Sequence, residues 1–547
     1  VGKSGHTGAG GWARGLVRLL PTRADWAPAR PRDLLAGVTV AVIALPLALG
    51  FGASSGLGAA AGLVTAVVAG AVAALFGGSN LQVSGPTGAM TVVLVPIAHA
   101  HGVDGVLTVG LLAGVLLLAL AGVGAGRYAR LVPAPVIEGF TLGIAGVIAL
   151  QQVPAALGTP PAPSEHVPVV AARAVADFLA QPVWTALLLA SGVAVVMLLG
   201  ARWRPAIPFS LLAVAAATAA AEVWSLPVER IGALPAGLPA PDLGFLRLDE
   251  LGALVPAAVA VTALAALESL LSATVADAMA GDQKHDPDRE LFGQGLANLI
   301  TPMFGGVPAT AAIARTAVNV RSGARSRLAA LAHALVLAAI AVAAAPLVAR
   351  IPLAALAGVL LATAIRMVAV RSVRAVVRAG RGDALVLVVT AVATLALDLV
   401  AAVIIGVVVA GGLALRDVAR CSGVEKLTVG LAQYVVAYRF DGPLLFTAAH
   451  RLVHRVSDAC DARVVILKMS GVSAVDATGA LALRDAIEVL ESKGKLVLVS
   501  GVRPDHERAL EAVDALAGLR ERGHLHPRTD EAVACAVAHL STGEQRT

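Results

Sequence analysis

Glu268 stands near the middle of a long apolar stretch, residues 252 to 280, with Ser269 beside it and Ser272 one helical turn on. A carboxylate at that depth in a bilayer is costly, and by default it is there to do something. Residues i and i+4 share a helix face, which puts Ser272 on the same side as Glu268. The second ionisable residue in such a setting is Arg315, seven residues after Pro308. Two roles for the acid are open and compatible: a proton-coupling group, or the structural counter-ion of Arg315. Arg315 itself reads either as a buried cation that reinforces a binding site or as a snorkelling side chain near a helix end.

Two short apolar stretches flank this chemistry. Residues 85 to 98 begin Gly85-Pro86-Thr87-Gly88-Ala89-Met90-Thr91, and residues 307 to 320 begin Val307-Pro308-Ala309-Thr310-Ala311-Ala312-Ile313. Each has Pro near its expected first turn, where the missing N–H costs nothing, and then small residues that leave backbone amides bare. Paired Gly/Pro-interrupted segments at matching places in two halves of a membrane protein point to a binding site at the bilayer midplane. Facing helix N-termini present free N–H groups and the positive ends of two dipoles, a setting that suits an anion. On this reading Arg315 falls about two turns into the second short helix. Thr87 and Thr310 either donate to an oxyanion or bond their own backbone.

The elements that must position these residues are legible in composition. The chain has 547 residues, 58% hydrophobic and 14% charged, with mean hydropathy +0.82; a soluble protein carries about a quarter charged residues. Residues 1 to 420 hold 47 charged side chains and residues 421 to 547 hold 31, so one boundary separates a membrane part from a soluble tail. A span needs about 20 apolar residues. Such stretches fall near 34–52, 57–77, 104–124, 134–157, 182–200, 206–223, 252–280, 291–305, 328–349, 353–370, 383–399 and 401–418. With the two short segments the count is 14.

Lysine and arginine set the sidedness. With the N-terminus in the cytosol, the inner loops hold Arg127 and Arg130, Arg202 and Arg204, Arg321, Arg325 and Arg327, then Arg371, Arg374, Arg378 and Arg381, and last Arg416 and Arg420. The outer loop 224–250 has Arg230 and Arg247 against Glu229, Asp242, Asp249 and Glu250. The loop 282–290 is the exception, with four acids against Lys284 and Arg289. An even number of spans returns the tail to the cytosol. The sequence pI of 9.6 is thus a matter of topology, and no nucleic-acid partner is expected. Residues 1–33 carry Lys3, Arg14, Arg18, Arg23, Arg30 and Arg32 with no apolar core or cleavage site, so no secretory signal is expected there. Glu138, Asp277 and Asp398 read as interfacial or solvated.

From about 425 the pattern becomes short strands (Tyr434–Phe440, Val464–Met469, Leu496–Ser500) alternating with helices near 446–459, 478–492 and 504–517, which suggests a small α/β domain. Cys421, Cys460 and Cys535 have no CxxC spacing, so neither disulfides nor zinc are expected. His450 and His454 lack a third ligand and read as a solvated face. No cofactor and no enzymatic nucleophile is indicated.

Several stretches carry a resemblance. Gly85 to Thr91, the run from Glu290 through Gly293-Gln294-Gly295-Leu296-Ala297-Asn298 to Gly305-Gly306, the following Val307 to Asn319, and Val475-Asp476-Ala477-Thr478-Gly479 resemble the sulfate permease (SulP) family of anion transporters with its C-terminal STAS domain, over about 33–540. The resemblance implies a 7+7 inverted repeat of 14 segments, with a core domain (spans 1–4 and 8–11) moving past a gate domain in an elevator-like cycle, and a homodimer. It places substrate contacts at Thr87, Gly88, Ala89, Ala311, Ala312 and Ile313, with Arg315 at the basic position and Glu268 and Ser272 at the ion-coupling positions. Sodium-coupled bicarbonate members have Asp where this chain has Glu268, so a proton is expected over sodium. In related anti-sigma-factor antagonists the residue after the motif Asp is a phosphorylated Ser; here it is Ala477, followed by Thr478.

The expectation is therefore a polytopic α-helical membrane protein: a cytosolic segment 1–33, a transporter domain 34–420 with repeats about 34–223 and 252–418, and a cytosolic STAS domain 425–540. It sits in the cell membrane and moves sulfate, bicarbonate or a dicarboxylate by proton symport or exchange. The alternatives are an uncoupled, channel-like anion conductor of the same fold or a nucleobase transporter. The STAS domain is expected to bind a regulatory protein or a nucleotide.

Overall fold

The computed structural model describes residues 31–127, 132–160, 162, 166–204, 207–234, 237–281, 283–397, 399–421, 423–428, 434–445 and 462–544. Arg14 and its N-terminal neighbours, Arg130, Asp398, Cys460 and the expected helix 446–459 with His450 and His454 lie outside them. The chain divides into two compact units between Val407 and Val408.

The first half of the membrane unit runs α1 (Pro31–Ser54), α2 (Ala59–Phe76), β1 (Ser84–Gly85), α3 (Gly88–Gly122), α4 (Ala134–Gln151), the short α5 (Val153–Leu157), α6 (Val167–Ala180), α7 (Trp184–Trp203) and α8 (Phe209–Val223). The second half repeats the order with α9 (Leu251–Ala280), α10 (Pro287–Ile300), β2 (Thr310–Ala311), α11 (Ile313–Arg321), α12 (Leu328–Ala343), the short α13 (Ala345–Val348), α14 (Leu353–Met367), α15 (Val370–Ala379), α16 (Arg381–Ala396) and α17 (Leu399–Cys421). Eight of the described helices or helix pairs are long and apolar enough to cross a membrane alone, and two shorter apolar helices, α8 and α12, join them. The α3 helix holds the first short segment and the span after it. Gly102, at φ 67° and ψ −168°, divides it, a conformation a side chain would resist.

Small residues let these helices approach closely, as membrane packing favours where lipid gives no hydrophobic drive. Gly52 of α1 lies on the backbone of Gly62 in α2, and Gly293 of α10 lies on that of Gly77, where an added Cβ would collide. One apolar core runs through both halves, from Leu49 and Leu94 to Leu264, Leu291 and Leu360.

The second unit is a five-stranded sheet ordered β3 (Gly423–Thr428), β4 (Val435–Leu444), β5 (Val464–Val475), β6 (Leu496–Ser500) and β7 (Leu525–His526). The β3–β4 pair is antiparallel and the other pairs parallel. Helices cover both faces, as parallel strands require. Val465, Leu467 and Met469 pack with Leu483 and Leu490 of α18 (Ala477–Ser492) and Leu510 of α19 (Pro504–Glu511). Val464 and Ile466 pack with Ala532 and Ala536 of α21 (Thr529–Glu544), which follows the short α20 (Ala517–Glu521). Asp476 caps α18, its Oδ1 accepting from the Gly479 amide at 2.7 Å, which places Ala477 and Thr478 in the first turn.

Candidate functional site

The two short helices begin beside one another because the residues before them pair. Ser84 and Gly85 form antiparallel partners with Ala311 and Thr310, and the Ala312 amide donates to Val83 O. This two-residue ladder satisfies backbone groups that lipid cannot and holds both helix starts in register. It also moves the helix boundaries. Pro86 and Pro308 precede the helices and lie outside their first turns, which begin at Gly88 and Ile313. Arg315 is consequently the third residue of α11, in its first turn, and not two turns along.

Thr87 is the N-cap of α3. Its Oγ1 accepts from the Met90 amide at 3.3 Å and donates to Glu268 Oε2 at 3.0 Å. Arg315 Nη2 donates to Pro86 O, and a side chain on Gly85 would run into its other nitrogen, Nη1. That nitrogen is buried and has no acceptor among the described residues. Glu268 and Arg315 make no direct ion pair among the described residues; they are joined through Pro86 and Thr87. The amides of Gly88, Ala89, Ile313 and Ala314 likewise have no acceptor among the described residues. One guanidinium group and the open amides of two helix first turns, Gly88 and Ala89 in α3 and Ile313 and Ala314 in α11, thus converge beside a carboxylate that is itself half-buried, an arrangement fitted to a small anion.

The residues expected to bind substrate fall as follows. Thr87, Gly88, Ala89, Ala311 and Ala312 are buried at the meeting of the two helix starts, and Ile313 is exposed. Gly88 packs against Ile148 of α4 and Phe51 of α1, so this side of the site is apolar. Ser272 is fully buried and donates to Thr316 Oγ1 at 3.1 Å; Thr316 in turn accepts from the Val83 amide at 3.2 Å. It braces the ladder and no bond joins it to Glu268. Thr310 bonds Ser269 Oγ at 2.8 Å, which occupies its hydroxyl within the scaffold.

A second set of polar side chains was absent from the sequence reading of the site. Glu290, Gln294 and Asn298 stand at i, i+4 and i+8 on α10. Glu290 Oε2 accepts from the amides of Gly78 and Ser79 at 2.9 and 3.2 Å. Gln294 Nε2 donates to Ser84 Oγ at 2.7 Å. Asn298 brackets Ala309, donating to its carbonyl and accepting from its amide, both at 2.8 Å. From α11, Asn319 Nδ2 donates to Leu81 O at 2.8 Å; Gln82 Nε2 reaches back to Ser269 O at 2.6 Å. The signal available was their spacing: three polar residues four apart in an apolar helix mark a face turned to unpaired backbone.

Residues 31–390 match the model of the sulfate permease family, and residues 428–532 match the STAS domain. The chain belongs to the sulfate permease family. It is 33% identical over 486 residues to the Bacillus subtilis "Putative sulfate transporter YvdB", covering 86% of this chain and 91% of that protein. It is 31% identical over 539 residues to the Synechocystis "Bicarbonate transporter BicA", covering 94% and 95%. The murine anion transporter Slc26a9 in its inward-facing state superimposes with a TM-score of 0.83 at 18% identity, over 98% of this chain and 97% of that one; the likeness is one of fold. This sulfate permease family member is therefore a helical membrane protein of that transporter fold with a C-terminal STAS domain.

Proposed function

We propose that this protein is a secondary active transporter of a small inorganic anion or carboxylate, such as sulfate, bicarbonate or a dicarboxylate, coupled to protons through Glu268. The observation that carries the proposal is Thr87: one hydroxyl both caps the short helix that faces the anion and holds the Glu268 carboxylate. An ionised Glu268 repels an anion at the helix starts, and a protonated one does not. Binding of anion and proton therefore favour each other, and by linkage the coupling is reciprocal. Anion affinity rises as pH falls. The names of the relatives, a sulfate and a bicarbonate transporter, support the substrate class. An elevator-like movement of the ladder-bearing helices, a homodimer and cytosolic termini complete the reading.

Flux of labelled sulfate, bicarbonate and fumarate into proteoliposomes, with and without a pH gradient, tests it; the absence of any anion flux refutes it. For the coupling residue, Glu268→Gln abolishes accumulation driven by a pH gradient, keeps anion exchange, and makes anion affinity independent of pH. Accumulation that survives unchanged removes Glu268 from the role. Electrical current far above coupled turnover would instead identify a channel-like conductor.

A further inference from the structure

Helix α15 is amphipathic in a way its neighbours are not. Arg371, Arg374 and Arg378 recur at i, i+3 and i+7, within about 60° of arc at 100° per residue; Val370, Val373, Val376 and Val377 fill the opposite side. None of its residues is buried. All three arginines are exposed, and Arg366 and Arg381 at its flanks are exposed too. None of these five guanidinium groups makes an ion pair among the described residues. The helix is nonetheless fixed in place: Ser372 Oγ donates to Glu138 Oε1 near the start of α4. The acids on the elements packed against it are Glu138 on α4, which accepts that bond, and Asp383 in the first turn of α16.

The first half has its own helix at the corresponding point. Helix α6 follows α4 and α5 as α15 follows α14, and it too is amphipathic, with Ala171, Ala174 and Phe178 buried. Its two charges, Arg173 and Asp177, cancel. An odd number of spans, seven in the order read from the sequence, lies between the two helices and puts them at opposite faces of the membrane; by the arginine distribution α15 is on the cytosolic side. Only the helix at that face is polybasic, and that is where bilayers carry anionic lipid.

We infer that α15 is an interfacial helix that binds the headgroups of anionic phospholipids through Arg371, Arg374 and Arg378, with its valines against the acyl region. An apolar face beside a row of cations is the pattern of helices that lie in the membrane plane, and the charge complement of three unpaired guanidinium groups is phosphate-bearing lipid. The site is separate from the helix crossing and stands whether or not Glu268 couples protons.

The test uses the full-length protein in a neutral detergent, titrated with short-chain phosphatidylglycerol, phosphatidylcholine or inorganic phosphate, with the melting temperature as readout. Phosphatidylglycerol raises it saturably and the other two do not. In the triple variant Arg371→Gln, Arg374→Gln, Arg378→Gln the apparent affinity for phosphatidylglycerol drops about a hundredfold, since each basic residue near an anionic surface contributes roughly a factor of five. The single variant Arg374→Gln drops it about fivefold and serves if the triple variant fails to fold. The double variant Arg202→Gln, Arg204→Gln, which removes charges elsewhere, keeps the full response. An equal phosphatidylglycerol response in the α15 variants, an equal response to phosphatidylcholine, or its reproduction by inorganic phosphate overturns the assignment.

Discussion

Arg315 spends Nη2 on Pro86 O and keeps Nη1 without an acceptor among the described residues, so its side chain is part scaffold and part free donor. Replacing it separates these roles. Arg315→Lys preserves a charge but has one ammonium for two tasks, and Arg315→Gln has none. A charge-assisted hydrogen bond contributes about 1.5–3 kcal/mol. Arg315→Gln therefore raises the KM for anion by roughly 10- to 100-fold, and Arg315→Lys by less; concentration-dependent uptake measures both. Much of this was legible in the residues themselves. A Glu and an Arg in apolar helices are conspicuous, and the structure brings both beside the Gly/Pro breaks. What sequence could not give was the role of each hydroxyl. Thr87 and Thr310 both follow the prolines closely in sequence, yet Thr87 caps its helix and bonds Glu268, whereas Thr310 lies in the ladder opposite Gly85 and is taken up by Ser269. One helix, α9, supplies both partners from adjacent residues, so the difference lies in which side of α9 each threonine meets, a tertiary fact.

At the scale of elements, the ladder between β1 and β2 is too short to stand on its own bonds. The side chains of α10 supply what two residue pairs cannot. Asn298 is the clearest case, since its amide closes both polar groups of Ala309 in the segment leading into β2. Asn298→Ala leaves those groups buried and unpaired, at about 1–3 kcal/mol each. Thermal unfolding of the purified protein in detergent then shows a lower melting temperature than Asn298→Asp or wild type, and anion binding weakens alongside it. Periodicity located the spans to within a few residues, because lipid demands an apolar run whatever the partner. It missed both strands, which at two residues each have no period to read. It missed α15 as well: Arg371, Arg374 and Arg378 registered as loop charges, and their shared face becomes visible only when the same residues are wound at 100° each.

At the scale of the molecule, the apolar core of the membrane unit and the cores of the STAS sheet are separate sets of residues. Each unit buries its own hydrophobic surface and should hold its fold without borrowing from the other. Removal of residues 425–547 is expected to leave measurable anion flux per molecule inserted, with altered regulation; loss of all flux from a correctly inserted, folded membrane unit would make the tail part of the transport machinery. Composition places a change of character at residue 420, where charge doubles, and the compact units part at 407–408; the order of strands in the sheet rests on crossovers that no local pattern records.

The pairing of Ser84 with Ala311 and of Gly85 with Thr310 also sets a timetable. The first partner leaves the ribosome more than two hundred residues before the second, on the order of tens of seconds at ordinary rates of synthesis. Throughout that interval half of a membrane-embedded strand waits with its amides and carbonyls open, and the side chains of α10 that will close the neighbouring loop have not yet been made. The nascent first half is consequently a poor substrate for lipid and a good one for insertion chaperones or quality-control proteases. A chain stalled between residues 122 and 310 is therefore expected to be degraded faster than one stalled beyond residue 321, which pulse-chase of the stalled chains measures.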